Sequence, residues 1–172
     1  MEPTRIQTTA DDHRIARLAA LAIALHMVEA VVPSPIPGVK PGIANIVTLY
    51  VLYQYGFATA AWVSTLRVFA SSLLLGQFLS PTFILSLSGS LFSLMALWLG
   101  IHLPRKWFSP ISLSIFAACA HIIGQLIIVR LWLIPHAGVA YLIPIFAIAA
   151  LFFGLINGII TNKLLIKNNL KN

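Results

Sequence analysis

Apolar residues fill long runs of this chain, and short stretches with proline, glycine or charge separate the runs. A helix needs about 20 mostly apolar residues to cross the hydrocarbon core of a membrane. The candidate segments are 14–32, 42–56, 57–79, 82–102, 110–133 and 138–162. The second is short and joins the third at Gly56 with almost no loop. The pattern predicts an all-α, polytopic membrane protein with six transmembrane helices.

Composition and charge support a membrane protein over other classes. The 172 residues are 59% hydrophobic and 9% charged, whereas soluble domains carry about 25% charged residues. The formal net charge of +7 does not indicate nucleic-acid binding, because the basic residues form no run and no aromatic residues interleave with them. The single cysteine, Cys119, provides neither a disulfide framework nor a cysteine metal cluster. We expect one integral membrane domain over 1–172, with no metal and no cofactor.

Lysine and arginine are distributed unequally between the two ends of the predicted bundle. If the N-terminus is cytoplasmic, the cytoplasmic side holds Arg5, Arg14, Arg17, Arg105, Lys106, Lys163, Lys167 and Lys171. The outer side holds Lys40. Cytoplasmic loops of membrane proteins carry an excess of these residues. The asymmetry predicts that both termini are cytoplasmic, with a polar leader over 1–13 and a basic tail over 163–172.

The first predicted helix has two different faces. Ala16, Ala20 and Ala24 recur every four residues and therefore share one face, which we call the alanine face. Small residues at this spacing let membrane helices approach closely. Glu29 lies on nearly the opposite side of the helix. The alanine face is predicted either to pack within the chain or to dock on a partner subunit.

Ionisable residues also occur inside the predicted spans. A charge at mid-membrane costs at least about 2.5 kcal/mol, so it marks a candidate functional site. Arg67 and Glu29 are predicted to bind ligand, with a structural ion pair between them as the alternative. His121 and Gln125 share a face of the fifth segment and either bind ligand or join two helices by a hydrogen bond. Arg130 lies on the other side of that helix, where snorkelling to the outer interface is the alternative to ligand contact.

The connection over 33–42 is stiffened by prolines and carries one cation. Proline suits the first position of a helix, so Pro41 is predicted to begin the second helix with Lys40 at its cap. The positive end of a helix favours an anion, and Lys40 adds a full charge there. We expect a lid over an outward-facing pocket, and a plain solvated connection is the alternative. The predicted lid residues are Pro35, Pro37, Gly38 and Pro41.

Cations outnumber anions in the outer half of the predicted bundle. Lys40, Arg67 and Arg130 stand against Glu29, which predicts a small anionic solute such as a carboxylate or phosphate. The predicted substrate-binding residues are Lys40, Asn45, Glu29, Arg67, Gln125 and His121.

The segment PSPIPGVKPGIANIVTLYVLYQYG, residues 33–56, resembles the most characteristic stretch of a bacterial family. It is labelled the Gx transporter or heptaprenyl diphosphate synthase component I family, and the similarity extends along most of 14–165. The family is similar in size and layout to the S components of energy-coupling-factor vitamin transporters. In those proteins a small-xxx-small motif on the first helix docks on the transmembrane coupling subunit, and the following loop closes over the substrate. The resemblance implies an S-component-like bundle in the bacterial inner membrane, partnered by a coupling subunit with ATPases.

Catalytic motifs are not found in the sequence. Prenyl diphosphate synthases hold magnesium–diphosphate on two aspartate-rich motifs. The two aspartates of this chain, Asp11 and Asp12, are followed by His13, Arg14 and Ile15, so the motif is incomplete and has no second copy. No P-loop, GxSxG or HExxH motif occurs either. The chain is therefore not expected to be an enzyme.

Three functions follow from these observations. The first is the substrate-binding subunit of an ATP-driven importer for a small anionic solute, working in membrane lipid without nucleic acid. The second is a non-catalytic membrane subunit of heptaprenyl diphosphate synthesis. The third is a structural or electron-transport-associated membrane protein without a ligand.

Overall fold

The computed structural model describes residues 8–32, 41–103 and 109–170. Its six α-helices are α1 (Ala10–Val31), α2 (Ala44–Tyr55), α3 (Phe57–Leu74), α4 (Pro81–Ile101), α5 (Pro110–Ile128) and α6 (Ile143–Asn169). A π-helical turn, Val129–Leu133, continues α5, and a 3-10 helix, Ala137–Leu142, precedes α6. The described residues contain no strand, which confirms the all-α prediction for them.

Local sequence explains where several helices begin. Thr9 caps α1 in a capping box: its hydroxyl accepts from the Asp12 N–H at 3.2 Å, and the Asp12 carboxylate accepts from the Thr9 N–H at 2.8 Å. Helices α4 and α5 each begin at a proline that follows a serine cap, Ser80 and Ser109. Proline fits there because the first helical N–H has no partner within the helix.

The predicted start of the second helix is wrong. Helix α2 begins at Ala44, and Ile43 rather than Lys40 takes the cap position, so Pro41 precedes the helix. Gly42 has a φ of +69°, a left-handed conformation that interrupts helical geometry and favours glycine. The chain therefore turns at Gly42 before it enters the bundle.

The third helix also ends earlier than the predicted residue 79. It stops at Leu74, and Gly76 and Leu79 then adopt positive φ values of 65° and 60°. This turn brings the chain directly to the serine cap of α4.

Helices α2 and α3 form an antiparallel hairpin around Gly56. Asn45 and Arg67 each lie 11 residues from Gly56, and the Arg67 Nη1 donates to the Asn45 Oδ1 at 3.1 Å. Helix α2 has 12 residues and is therefore about 18 Å long. That length is shorter than a hydrocarbon core of about 30 Å.

Among the described residues, four segments are long and apolar enough to cross a membrane: Phe57–Leu74, Pro81–Ile101, Pro110–Leu133 and Ala137–Asn168. Helix α1 falls outside this group because Arg14, Arg17 and Glu29 interrupt its apolar run. The protein is thus a multi-pass membrane protein. Six spans and two cytoplasmic termini remain predictions.

Five of the helices form a closed ring. Helices α2 to α6 contact one another in chain order, α6 returns to α2, and α1 packs against α2 and α3. Gly154 and Gly158 of α6 allow close packing against α5. A Cβ on Gly158 would lie 2.7 Å from the Ile111 Cα of α5. The apolar core fills the ring in the half where α2 ends and α3 begins.

Candidate functional site

A cavity of about 420 Å³ lies at one end of the bundle. It is lined where α1 and α3 end and where α2 and α4 begin, and the second half of α5 and the first half of α6 complete its wall. We call this the cavity end. Its volume falls in the range of about 300–1,000 Å³ that is usual for small-molecule sites.

Most of the predicted substrate-binding residues meet at this cavity. The lining includes Glu29, Asn45, Arg67, His121 and Gln125. Lys40 and the predicted lid residues Pro35, Pro37 and Gly38 lie outside the described residues. Pro41, the last predicted lid residue, lines the cavity. Residues 76 positions apart in the chain, Asn45 and His121, are therefore brought to one site by the ring of helices.

Arg67 is the buried cation of the site. Its side chain is 6% exposed, its Nη1 donates to Asn45, and its Nε has no hydrogen-bond partner. Glu29, of opposite charge, lines the same cavity, and its structural ion pair with Arg67 stays a prediction beside ligand binding. The guanidinium keeps donors that a ligand can use.

The Pro41–Gly42 segment forms one wall of the cavity and is held from two sides. The Glu29 carboxylate accepts from the Gly42 N–H, which ties the segment to α1. The Asn157 Nδ2 donates to the Pro41 carbonyl at 3.0 Å and to the Gly42 carbonyl at 3.2 Å, which ties it to α6. A Cβ on Gly42 would also lie 3.0 Å from the Asn45 Nδ2. Glycine is thus required here both by its φ angle and by the space beside Asn45.

Asn157 was missed as a site residue by sequence reasoning. It is 6% exposed, lines the cavity and provides the two hydrogen bonds that hold the segment. The neighbouring Gly154 and Gly158 are typical of close helix packing, so Asn157 was interpreted as a packing residue and not as a residue of the site. A polar residue on the interior side of a membrane helix was the available clue.

His121 and Gln125 share the cavity-facing side of α5, as predicted. The imidazole of His121 packs against Gly89 of α4, where a Cβ would lie 2.6 Å from its Nε2. The absence of a side chain at Gly89 therefore leaves space for the imidazole of His121. Arg130 is exposed on the π-helical turn and does not line the cavity. The charged groups described in the cavity lining are then Arg67 and Glu29, so its cation surplus is smaller than predicted.

Further polar and apolar side chains complete the lining of the cavity. Val68, Leu85, Ile122 and Phe153 lie there together with His26, Ser71, Gln77, Thr82 and Ser86. A lining of mixed polarity suits a solute that carries both polar and apolar groups.

The alanine face of α1 points away from the bundle. Ala16, Ala20 and Ala24 are exposed, whereas Ala19 and Ala22 are buried against the neighbouring helices. The alternative in which the three alanines pack within the chain is therefore wrong.

Basic residues gather at the end of the bundle opposite the cavity, which we call the basic end. Arg14, Arg17, Lys163 and Lys167 are exposed there. The Arg14 guanidinium lies 4.9 Å from the centre of the Tyr55 ring, which places the start of α1 beside the end of α2. Among the described residues, four exposed lysines and arginines thus lie at this end, where Asp11 pairs with Arg14 at 3.0 Å.

Comparison with known proteins identifies the family. The chain matches no curated protein and no solved structure. The sequence profile of the family described as heptaprenyl diphosphate synthase component I matches residues 18–164, from within α1 to within α6. That description names a component of a synthase. With a match across most of its length, the chain belongs to the heptaprenyl diphosphate synthase component I family.

Proposed function

We propose that this protein is the substrate-binding membrane subunit of an ATP-driven importer. Its solute is small and carries an anionic or acceptor-rich group on an apolar body. The observation that carries the proposal is the cavity of about 420 Å³ with the buried Arg67 guanidinium in its wall. A structural protein without a ligand has no need to hold a buried cation beside open space, because its burial is costly.

The size of the cavity limits the solute. A volume of about 420 Å³ lies towards the lower end of the range of about 300–1,000 Å³ that is usual for small-molecule sites. A compact metabolite fits this space.

The charge of the two ends supports uptake from outside. Lys and Arg collect on the cytoplasmic side of membrane proteins. With the basic end in the cytoplasm, the cavity end faces the outer side of the bacterial inner membrane. A solute from outside then reaches Arg67 without crossing the apolar core.

The partner is proposed from the alanine face and from the missing ATPase motif. Since the sequence has no P-loop, ATP hydrolysis must come from other subunits. The exposed Ala16, Ala20 and Ala24 let a partner helix approach the α1 backbone closely. We propose that this face docks on a transmembrane coupling subunit.

The test is affinity purification of the tagged protein in mild detergent, followed by mass spectrometry. We expect a coupling subunit and ATPases with the wild type, and their loss with Ala20→Leu. Ala58→Leu, an equal enlargement at an exposed alanine of α3, is the matched control and keeps the partners. Recovery of the same ATPases with Ala20→Leu at equal yield would contradict the docking face.

The family description favours a second candidate function. A heptaprenyl diphosphate synthase component that lacks aspartate-rich motifs would be a non-catalytic membrane subunit, and its partner would be a soluble prenyl synthase. In the same purification, a prenyl synthase without any ATPase would establish this function and reject the importer.

A further inference from the structure

A second and much smaller cavity lies between the main cavity and the apolar core. Its volume is about 20 Å³, which is room for one water-sized particle. It shares Asn45, Arg67 and Asn157 with the main cavity, and its far side is formed by Leu97 and Ala117 of the core. The small cavity thus lies directly beneath the main one and borders it at Arg67.

Hydrogen-bond donors dominate the lining of the small cavity. Thr48, Ser64, Ser90 and Ser114 contribute hydroxyl groups, and each residue is at most 4% exposed. Among the described residues that line it, Arg67 is the one that carries a charge. The described lining therefore combines a full positive charge with several hydroxyl groups and includes no carboxylate.

Two of these buried donors have no partner. The Thr48 Oγ1 and the Arg67 Nε make no hydrogen bond. Buried hydroxyls elsewhere in this bundle donate to the carbonyl four residues earlier, as Ser71 does at 2.6 Å and Thr161 does at 2.8 Å. Thr48 does not use the equivalent carbonyl of its own helix. Since buried polar groups are almost always satisfied, these two donors indicate a particle that accepts from both.

We propose that the small cavity binds a single halide ion, with the Thr48 hydroxyl and the Arg67 Nε–H as its donors. A halide fits a site with room for one particle, accepts from every donor around it and compensates a guanidinium that is costly to bury. A carboxylate or phosphate is too large for this volume. Water is the competing occupant of this volume. It would also have to donate two protons to oxygens of the lining, such as those of Ser114 and Asn157, whereas a halide only accepts.

The test is thermal unfolding of the full chain in detergent, with sodium chloride or bromide titrated against sodium gluconate at constant ionic strength. We expect a saturable rise in Tm with both halides. Thr48→Val removes the donor at constant shape and should weaken the apparent halide Kd by about tenfold or more. Thr48→Ser restores the donor and should restore the response. Thr161→Val is the matched control, because this buried threonine bonds to its own helix and should leave the response intact.

Several outcomes would overturn the halide site. The wild type could unfold at the same temperature in halide and in gluconate, which would indicate water. Stabilisation by formate without stabilisation by halide would assign the site to a carboxylate. An equal halide response in Thr48→Val and Thr161→Val would mean a nonspecific salt effect. If Thr48→Val does not fold, crystals of the wild type in bromide decide: an anomalous peak between Thr48 and Arg67 supports the site, and its absence overturns it.

Discussion

Asn157 is the residue whose replacement tests the site most directly. Asn157→Leu keeps the approximate shape of the side chain but removes the two hydrogen bonds to the Pro41 and Gly42 carbonyls. Each such bond contributes about 0.5–1.5 kcal/mol. The two bonds together predict a loss of about 2 kcal/mol in the free energy of unfolding. For a chain of this size that loss lowers Tm by about 4–8 °C.

The assay combines thermal unfolding in detergent with hydrogen exchange of the peptide that contains Gly42. We expect faster exchange of the Gly42 N–H, because the segment loses its attachment to α6 and is then held by Glu29 and by the Asn45 N–H, which donates to the Gly42 carbonyl at 2.8 Å. Asn162→Leu is the matched control, since this asparagine lies on α6 outside the cavity lining. The reasoning is refuted if Asn157→Leu unfolds within about 1 °C of the wild type and exchanges at the same rate.

Three further predictions concern packing and the first helix cap. Gly158→Ala places a Cβ 2.7 Å from the α5 backbone, so we expect a net loss of about 1–2 kcal/mol in thermal unfolding, and an unchanged Tm would contradict it. Gly89→Ala places a Cβ 2.6 Å from the His121 imidazole; we expect a lower Tm that His121→Ala restores in the double variant, and no restoration would exclude this clash. At the exposed start of α1, hydrogen bonds from Thr9 lower the pKa of Asp12. The cap is therefore complete above the ordinary carboxyl pKa and is lost as the pH falls through the lowered value. Thr9→Val should raise the Asp12 pKa in an NMR titration, and an unchanged value would contradict the capping box.

The limits of helices α4 and α5 show how well sequence alone locates membrane helices. Both start within one residue of the predicted position, because a serine cap and a proline mark the first turn of a long apolar run. The start of α2 was not predicted correctly, because a proline that suits a helix is followed by Gly42, whose positive φ is not visible in residue type. The length of α2 was also not predicted correctly. Its 12 residues are fewer than a membrane span needs, and α2 instead pairs with α3 in a hairpin.

The candidate site was partly predictable. Glu29 and Arg67 stood out because charge is rare in apolar runs, and the structure brings both to one cavity. Thr48 and Asn157 did not stand out, because uncharged polar residues occur on many membrane helices. Their roles depend on what lies opposite them: a one-particle cavity for Thr48, and two backbone carbonyls for Asn157.

Sequence by itself determined the class of this protein, the approximate position of its helices and the charge difference between its two ends. These properties follow from local apolar runs and from composition, and neither depends on which segments pack together in the fold. Tertiary structure decided which face of α1 is exposed, that Arg67 bonds to Asn45, and that two cavities meet at Arg67. The physical reason is that a side chain's partners and the volume beside it are set by helix packing between distant segments. No local pattern along the chain records that geometry.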